Sequence, residues 1–214
     1  LTLILLVTFV KMEIFYDYIE KGGIIFSILL AMSAVGITLI TYKFIEINFF
    51  NDLDLQIFEQ DLTNTSNVGE FRQLIDLKPN SEKKVFIIET LNIIEENTSK
   101  ASKEQEIETL LQKKYLSSQK FLPSLEIIAQ VSPLIGLLGT VIGMIDSFNE
   151  LELGGSLVDP SILAGGIWTA LLTTAMGLIV AIPALISHYF FDKKLSNITQ
   201  SSSVFLTKLT NKQK

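Results

Sequence analysis

Three long apolar runs lie along the chain, and a polar stretch of about eighty residues separates the first from the second. The runs at 24–42, 124–148 and 162–191 are each long enough as helices, at about 1.5 Å per residue, to cross a hydrocarbon core of about 30 Å. An 18-residue apolar stretch without charge is a transmembrane pattern rather than a core pattern. The opening LTLILLVTFV is also apolar but reaches only about 15 Å, half of a bilayer core. It has neither the basic start nor the small-residue cleavage site of a signal peptide. Met12 opens a more ordinary start, so residues 1–11 read either as an over-extended gene start or as a short interfacial segment. Residues 13–21, with Phe15, Tyr16, Tyr18 and Ile19, read as an interfacial helix with its aromatics at headgroup depth. The pair Gly22-Gly23 separates this 1–23 segment from the first span.

In the first span Ser27, Ala31, Ala34 and Thr38 recur at helical spacing, which predicts a face for helix packing. The stretch 43–123 reads as a soluble helical domain. Residues 64–70 form a loop by their turn residues. Pro79-Asn80-Ser81 opens a helix with Val85, Ile88, Leu91 and Ile94 at helical spacing. Ser102 with Gln105 is a capping-box pattern, and the helix it opens is predicted to run through Leu110, Leu111, Lys114 and Phe121 into the second span. A short loop, 149–161, joins spans two and three. The tail, 192–214, reads as a helical extension that frays.

Charge orients this layout. Ten of the 17 Lys and Arg residues fall in 43–123, the 149–161 loop has none, and Lys193 and Lys194 follow the third span. The positive-inside rule then puts 43–123 and the tail in the cytoplasm and the loop and N-terminus outside. The expectation is an all-α membrane protein: three transmembrane helices, N-out and C-in, with long helices extending into a cytoplasmic helical domain.

Composition narrows the function. The net charge is −6 and no dense basic patch exists, which argues against nucleic-acid binding. With no Cys and one His, Cys-based chemistry and His-rich metal sites are excluded. No phosphate-cradling glycine motif or convergent acid, base and nucleophile set is present, so no enzyme activity and no cofactor are expected.

The second and third runs are too polar for anchors. They carry Ser132, Thr140, Thr169, Thr173 and Thr174, hydroxyls that must find partners in hydrocarbon. Any one of them can bond back to its own helix; the whole set on one hairpin points to a polar channel lining. Gly136, Gly139, Gly143 and Gly177 let helices approach, and Pro133 and Pro183 withhold a backbone donor.

The strings SPLIGLLGTVIGMIDSF, 132–148, and LAGGIWTALLTTAMGLIVAIPALISHY, 163–189, resemble the MotA/TolQ/ExbB proton channel family. The order of one span, a polar domain, two spans and a short tail is similar to its ExbB and TolQ branch. The resemblance implies a homopentamer around a dimer of single-span partners similar to ExbD or TolR. It also implies ion flow driven by the membrane potential, and force passed on through a protein of TonB or TolA type. Thr140 and Thr174 match the family's two path-lining threonines, and Pro133 and Pro183 match family prolines. Trp168 is expected to contact the partner.

One departure matters. Proton-using relatives have a glutamate where this chain has Thr169, and no ionisable residue occurs from 162 to 187. A threonine does not titrate, so the essential acid would belong to the partner. The transported ion is then a proton passing through water, or sodium held by the oxygens of Thr140, Thr169, Thr173 and Thr174, with sodium ahead. Asp146 reads as a wetted headgroup-level acid or as a cation funnel. His188 reads as an interface residue in preference to a proton relay. The rival from another class is a passive scaffold.

Overall fold

A computed structural model describes residues 2–49, 55, 58–96, 99–154 and 160–212. All its regular elements are helices: α1 Thr2–Phe49, α2 Glu59–Asn64, α3 Val68–Asp76, α4 Glu82–Glu96, α5 Lys100–Ser118, α6 Leu122–Gly154 and α7 Pro160–Asn211. Three stretches are long and apolar enough to cross a membrane: Gly23–Ile47, Leu122–Leu153 and Leu163–Asn211. The chain forms two compact units, one of residues 1–41 with 123–188, the other of 42–122 with 189–214.

In the first unit α1 is broken at Gly23, with φ 59° and ψ −153°. That backbone region is open essentially to glycine alone, which is why one of the paired glycines ends the first segment there. Past the break, Ile25, Phe26 and Leu29 are buried, and Met32 and Leu39 pack on Ile128, Ala129, Val180 and Ala184. Gly36 also faces Ile128, with room for a methyl at ordinary contact distance, 3.7 Å. The face of Ser27, Ala31, Ala34 and Thr38 is exposed on the single chain. Its hydroxyls are satisfied locally, Ser27 bonding to the Gly23 carbonyl and Thr38 to that of Ala34. Both α6 and α7 continue through Pro133 and Pro183. Helix α6 also runs past Phe148 to Gly154, so the helical part of the hairpin extends into the expected loop; residues 155–159 of that loop lie outside the described residues.

The second unit has one apolar core. Leu55, Phe58, Leu62, Phe71, Ile75, Phe86, Ile87, Leu91, Ile94, Ile107 and Leu111 meet Leu195, Phe205, Leu206 and Leu209 of α7. The stretch read from sequence as a fraying tail is therefore a core helix, and Phe71 and Phe205 pack ring to ring at 6.2 Å. Within α4 the buried side is Phe86, Ile87, Leu91 and Ile94, whereas Val85 is exposed. Caps fix the short elements. Asn67 accepts from the Glu70 amide at 2.8 Å, and Glu70 accepts from the Ser66 amide, so α3 begins inside the 64–70 loop. Ser81 accepts from the Lys84 amide, while the Lys84 ammonium donates to the carbonyls of Asp76 and Lys78 and closes the end of α3.

Helix α5 starts at Lys100, which puts Ser102 inside it rather than at its cap. It does not run straight on. Gln119 to Phe121 form a turn, and Phe121 takes a left-handed φ of 71°. Tyr42 packs edge-on against the Phe121 ring at 5.5 Å. The fully buried Lys43 donates to the Ser118 carbonyl at 2.5 Å and to Glu46 at 3.0 Å. A carbonyl orphaned at the end of α5 thus receives a charged donor.

Because Phe205 is core and its neighbour Val204 is 52% exposed, the two should respond differently to truncation. Phe205→Ala should destabilise the second unit by about 3–5 kcal/mol. Val204→Ala should stay within about 0.5 kcal/mol. Denaturant midpoints and protease resistance of the intact chain in micelles measure both.

Candidate ion-pathway site

The candidate residues meet where α6 and α7 pack. A methyl added to Gly136 would lie 2.8 Å from the Thr173 carbonyl oxygen and 3.1 Å from the Thr174 Cα; one added to Gly177 would lie 2.6 Å from the Ser132 carbonyl oxygen. The two backbones therefore touch at these positions, and no side chain larger than hydrogen fits. Gly139 faces the Thr173 side chain, and Gly143 faces Ala170. Glycines three and four apart on α6 produce a flat strip against which α7 lies, the usual way helices gain dispersion energy in lipid. Sequence reasoning missed the outer half of this strip, where Gly166 closes on the Ser147 side chain and Ala170 on Gly143. Gly166 and Ala170 are four apart, and that small-residue spacing was the readable signal.

The hydroxyls are arranged around this contact. Thr173 is 3% exposed and lies within reach of two carbonyls, Ala170 at 2.7 Å and Gly136 at 3.1 Å. Thr174 donates to the same Gly136 carbonyl at 3.2 Å. Neighbours about 100° apart around α7 thus straddle one carbonyl of α6. Thr140 bonds back to Leu137 at 2.6 Å, Thr169 to Gly166 at 2.9 Å, Ser132 to Ile128 at 2.6 Å and Ser147 to Gly143 at 2.7 Å. Most of the set therefore bonds within its own helix, and only Thr173 and Thr174 reach across. A hydroxyl has one hydrogen and two lone pairs. With the hydrogens held by carbonyls, these oxygens offer lone pairs, which suit a cation and not an anion.

A cavity of about 420 Å³ opens beside the seam. Thr169 and Thr173 line it together with Ser147, Asp146, Glu150 and Gly23. Thr140 and Thr174 do not line it, so the four predicted threonines are divided between two places. Trp168 is 58% exposed on the chain's surface. The Nδ1 of His188 is buried without a hydrogen-bond partner among the described residues. Pro133 and Pro183 sit inside continuous helices. Neither can donate to the carbonyl four residues earlier.

Residues 78–203 match the model of the MotA/TolQ/ExbB proton channel family. The chain belongs to that family. The match extends well beyond the two membrane strings, taking in α4, α5 and much of the α7 extension. Among relatives, the chain is 44% identical over 61 residues to the biopolymer transport protein exbB1 of Vibrio cholerae, covering 28% of this chain and 27% of that one. It is 36% identical over 94 residues to the Tol-Pal system protein TolQ of Haemophilus influenzae, covering 44% and 41%. It is 34% identical over 92 residues to the biopolymer transport protein ExbB of Helicobacter pylori, covering 43% and 63%. The chain thus spans less than two thirds of the length of each of these relatives. Family membership on the ExbB and TolQ branch, with three spanning helices, makes it a multi-pass inner-membrane protein.

The seam sets a steric test. Gly136→Val or Gly177→Val should force the hairpin apart and lose the assembled protein from detergent extracts. Gly165→Ala, where an added methyl meets nothing within 4 Å, should assemble as the parent does. Size-exclusion profiles and hairpin cross-linking measure this.

Proposed function

We propose that this chain is the channel subunit of an ion-motive-force-driven membrane motor, conducting cations together with a single-span partner similar to ExbD or TolR. Five copies surround a dimer of that partner. The 149–161 loop and the N-terminus face outward, and 43–123 with 192–214 face the cytoplasm. The ring energises outer-membrane transport or an envelope process; names such as biopolymer transport protein and Tol-Pal system protein among the relatives favour these roles. Force passes on through a protein of TonB or TolA type. Each elementary charge that crosses releases about 2.3 kcal/mol per 100 mV.

The observation that carries this reading is the paired reach of Thr173 and Thr174 to the Gly136 carbonyl, in a stretch without any ionisable side chain from 162 to 187. The family is named for protons. A proton, however, needs a titrating group or a water wire, and Thr169 stands where proton-using relatives place a glutamate. Hydroxyl and carbonyl oxygens are ligands for a hard cation. Sodium is therefore the preferred ion, met by Thr169 and Thr173 at the cavity and by Thr140 and Thr174 elsewhere on its path, with the proton as the second reading. The charge that accompanies it comes from an acid of the partner, against which Trp168 packs.

Liposomes holding the chain with its co-purified partner test this. Thr174→Val and Thr140→Val should each cut cation flux by tenfold or more, about 1.4 kcal/mol or above at the barrier, with ring assembly preserved. A passive scaffold would show no functional loss in either variant. Transport unchanged after sodium is replaced by choline would reject sodium in favour of the proton.

A further inference from the structure

The cavity beside the seam has a graded lining. Asp146 and Glu150 are exposed, Thr169 is half-buried, and Thr173 is closed from solvent at its floor. Asp146 and Glu150 are four apart on α6 and so share a face. Among the described residues no Lys or Arg lines the cavity beside the two carboxylates. The cavity continues along α6 from Glu150 to Gly139, about 16 Å by helical rise. At its inner end the Thr173 hydroxyl lies 3.1 Å from the Gly136 carbonyl, which Thr174 also engages.

We propose that this cavity is a cation-collecting vestibule within a single subunit. Asp146 and Glu150 raise the local concentration of monovalent cations. Thr169 and then Thr173 replace part of the hydration shell with neutral oxygens. The vestibule ends at Thr173, whose hydroxyl lies 3.1 Å from the Gly136 carbonyl on the closed seam. Two carboxylates on one cavity, with no basic lining residue among those described, attract cations and repel anions. The hydroxyl hydrogens are held by carbonyls, so nothing in the lining offers an anion a strong donor. The physiological use of the vestibule rests on the channel reading above; its preference for cations does not.

The chain has no cysteine, so one introduced thiol reports on the cavity alone. Gly165 lines it and has open space for a side chain. Gly165→Cys in the full chain in nanodiscs is treated with a cationic trimethylammonium-ethyl and an anionic sulfonatoethyl methanethiosulfonate, each rate normalised to free glutathione. The cationic reagent should label about tenfold faster than the anionic one. That preference should vanish in an Asp146→Asn/Glu150→Gln background, and Thr169→Cys should behave alike as a second reporter. Equal normalised rates, or a preference that survives removal of both carboxylates, would overturn the vestibule. In liposomes with the partner, the double variant should raise the half-saturating cation concentration at least threefold, and an unchanged value would also overturn it. Charge-dependent labelling in a chain that carries no flux would leave the vestibule standing and remove the channel reading. Flux without charge-dependent labelling would remove the vestibule alone.

Discussion

The contact between the α6 and α7 backbones at Gly136 and Gly177 is the constraint on which the membrane unit depends. In lipid there is no hydrophobic gain from bringing two apolar helices together, so association rests on dispersion and on polar groups finding partners. Both conditions are met at one place. Absence of side chains brings the backbones into touch, and that closeness puts the Gly136 carbonyl within reach of two hydroxyls from the other helix. A bulkier residue at either glycine would break the packing and strand the threonines together.

The same closeness shapes the chemistry. Each threonine oxygen in the seam has its hydrogen directed at a backbone carbonyl, so what it leaves free are lone pairs. The second unit follows ordinary globular rules. Its core joins short capped helices to the end of α7, and Lys43 and Lys84 donate to carbonyls at helix ends.

Much of the architecture was legible because membrane helices are specified by long-range composition. The three spans, the break at the glycine pair and the small-residue strip on α6 each follow from a run length or a spacing. Other features misled for definable reasons. The polar residues of 196–203 suggested fraying, yet Phe205, Leu206 and Leu209 reappear one turn later and find a core that is itself assembled from distant segments. The break at Phe121 carried no glycine signal, because the left-handed turn there is held by Tyr42 and by the end of α5.

The sequence by itself determined that the chain spans a membrane three times, which residues are small enough to let helices meet, and that no titratable group lies between 162 and 187. These are properties of single segments, set by side-chain volume and transfer energy. Only the tertiary structure decided that Thr173 and Thr174 converge on one carbonyl, that Thr169 joins Thr173, Asp146 and Glu150 at a cavity, and that the end of α7 is core. Those relations depend on the rotation of one helix against another. Contacts between residues far apart in the chain fix that rotation, and no local pattern encodes it.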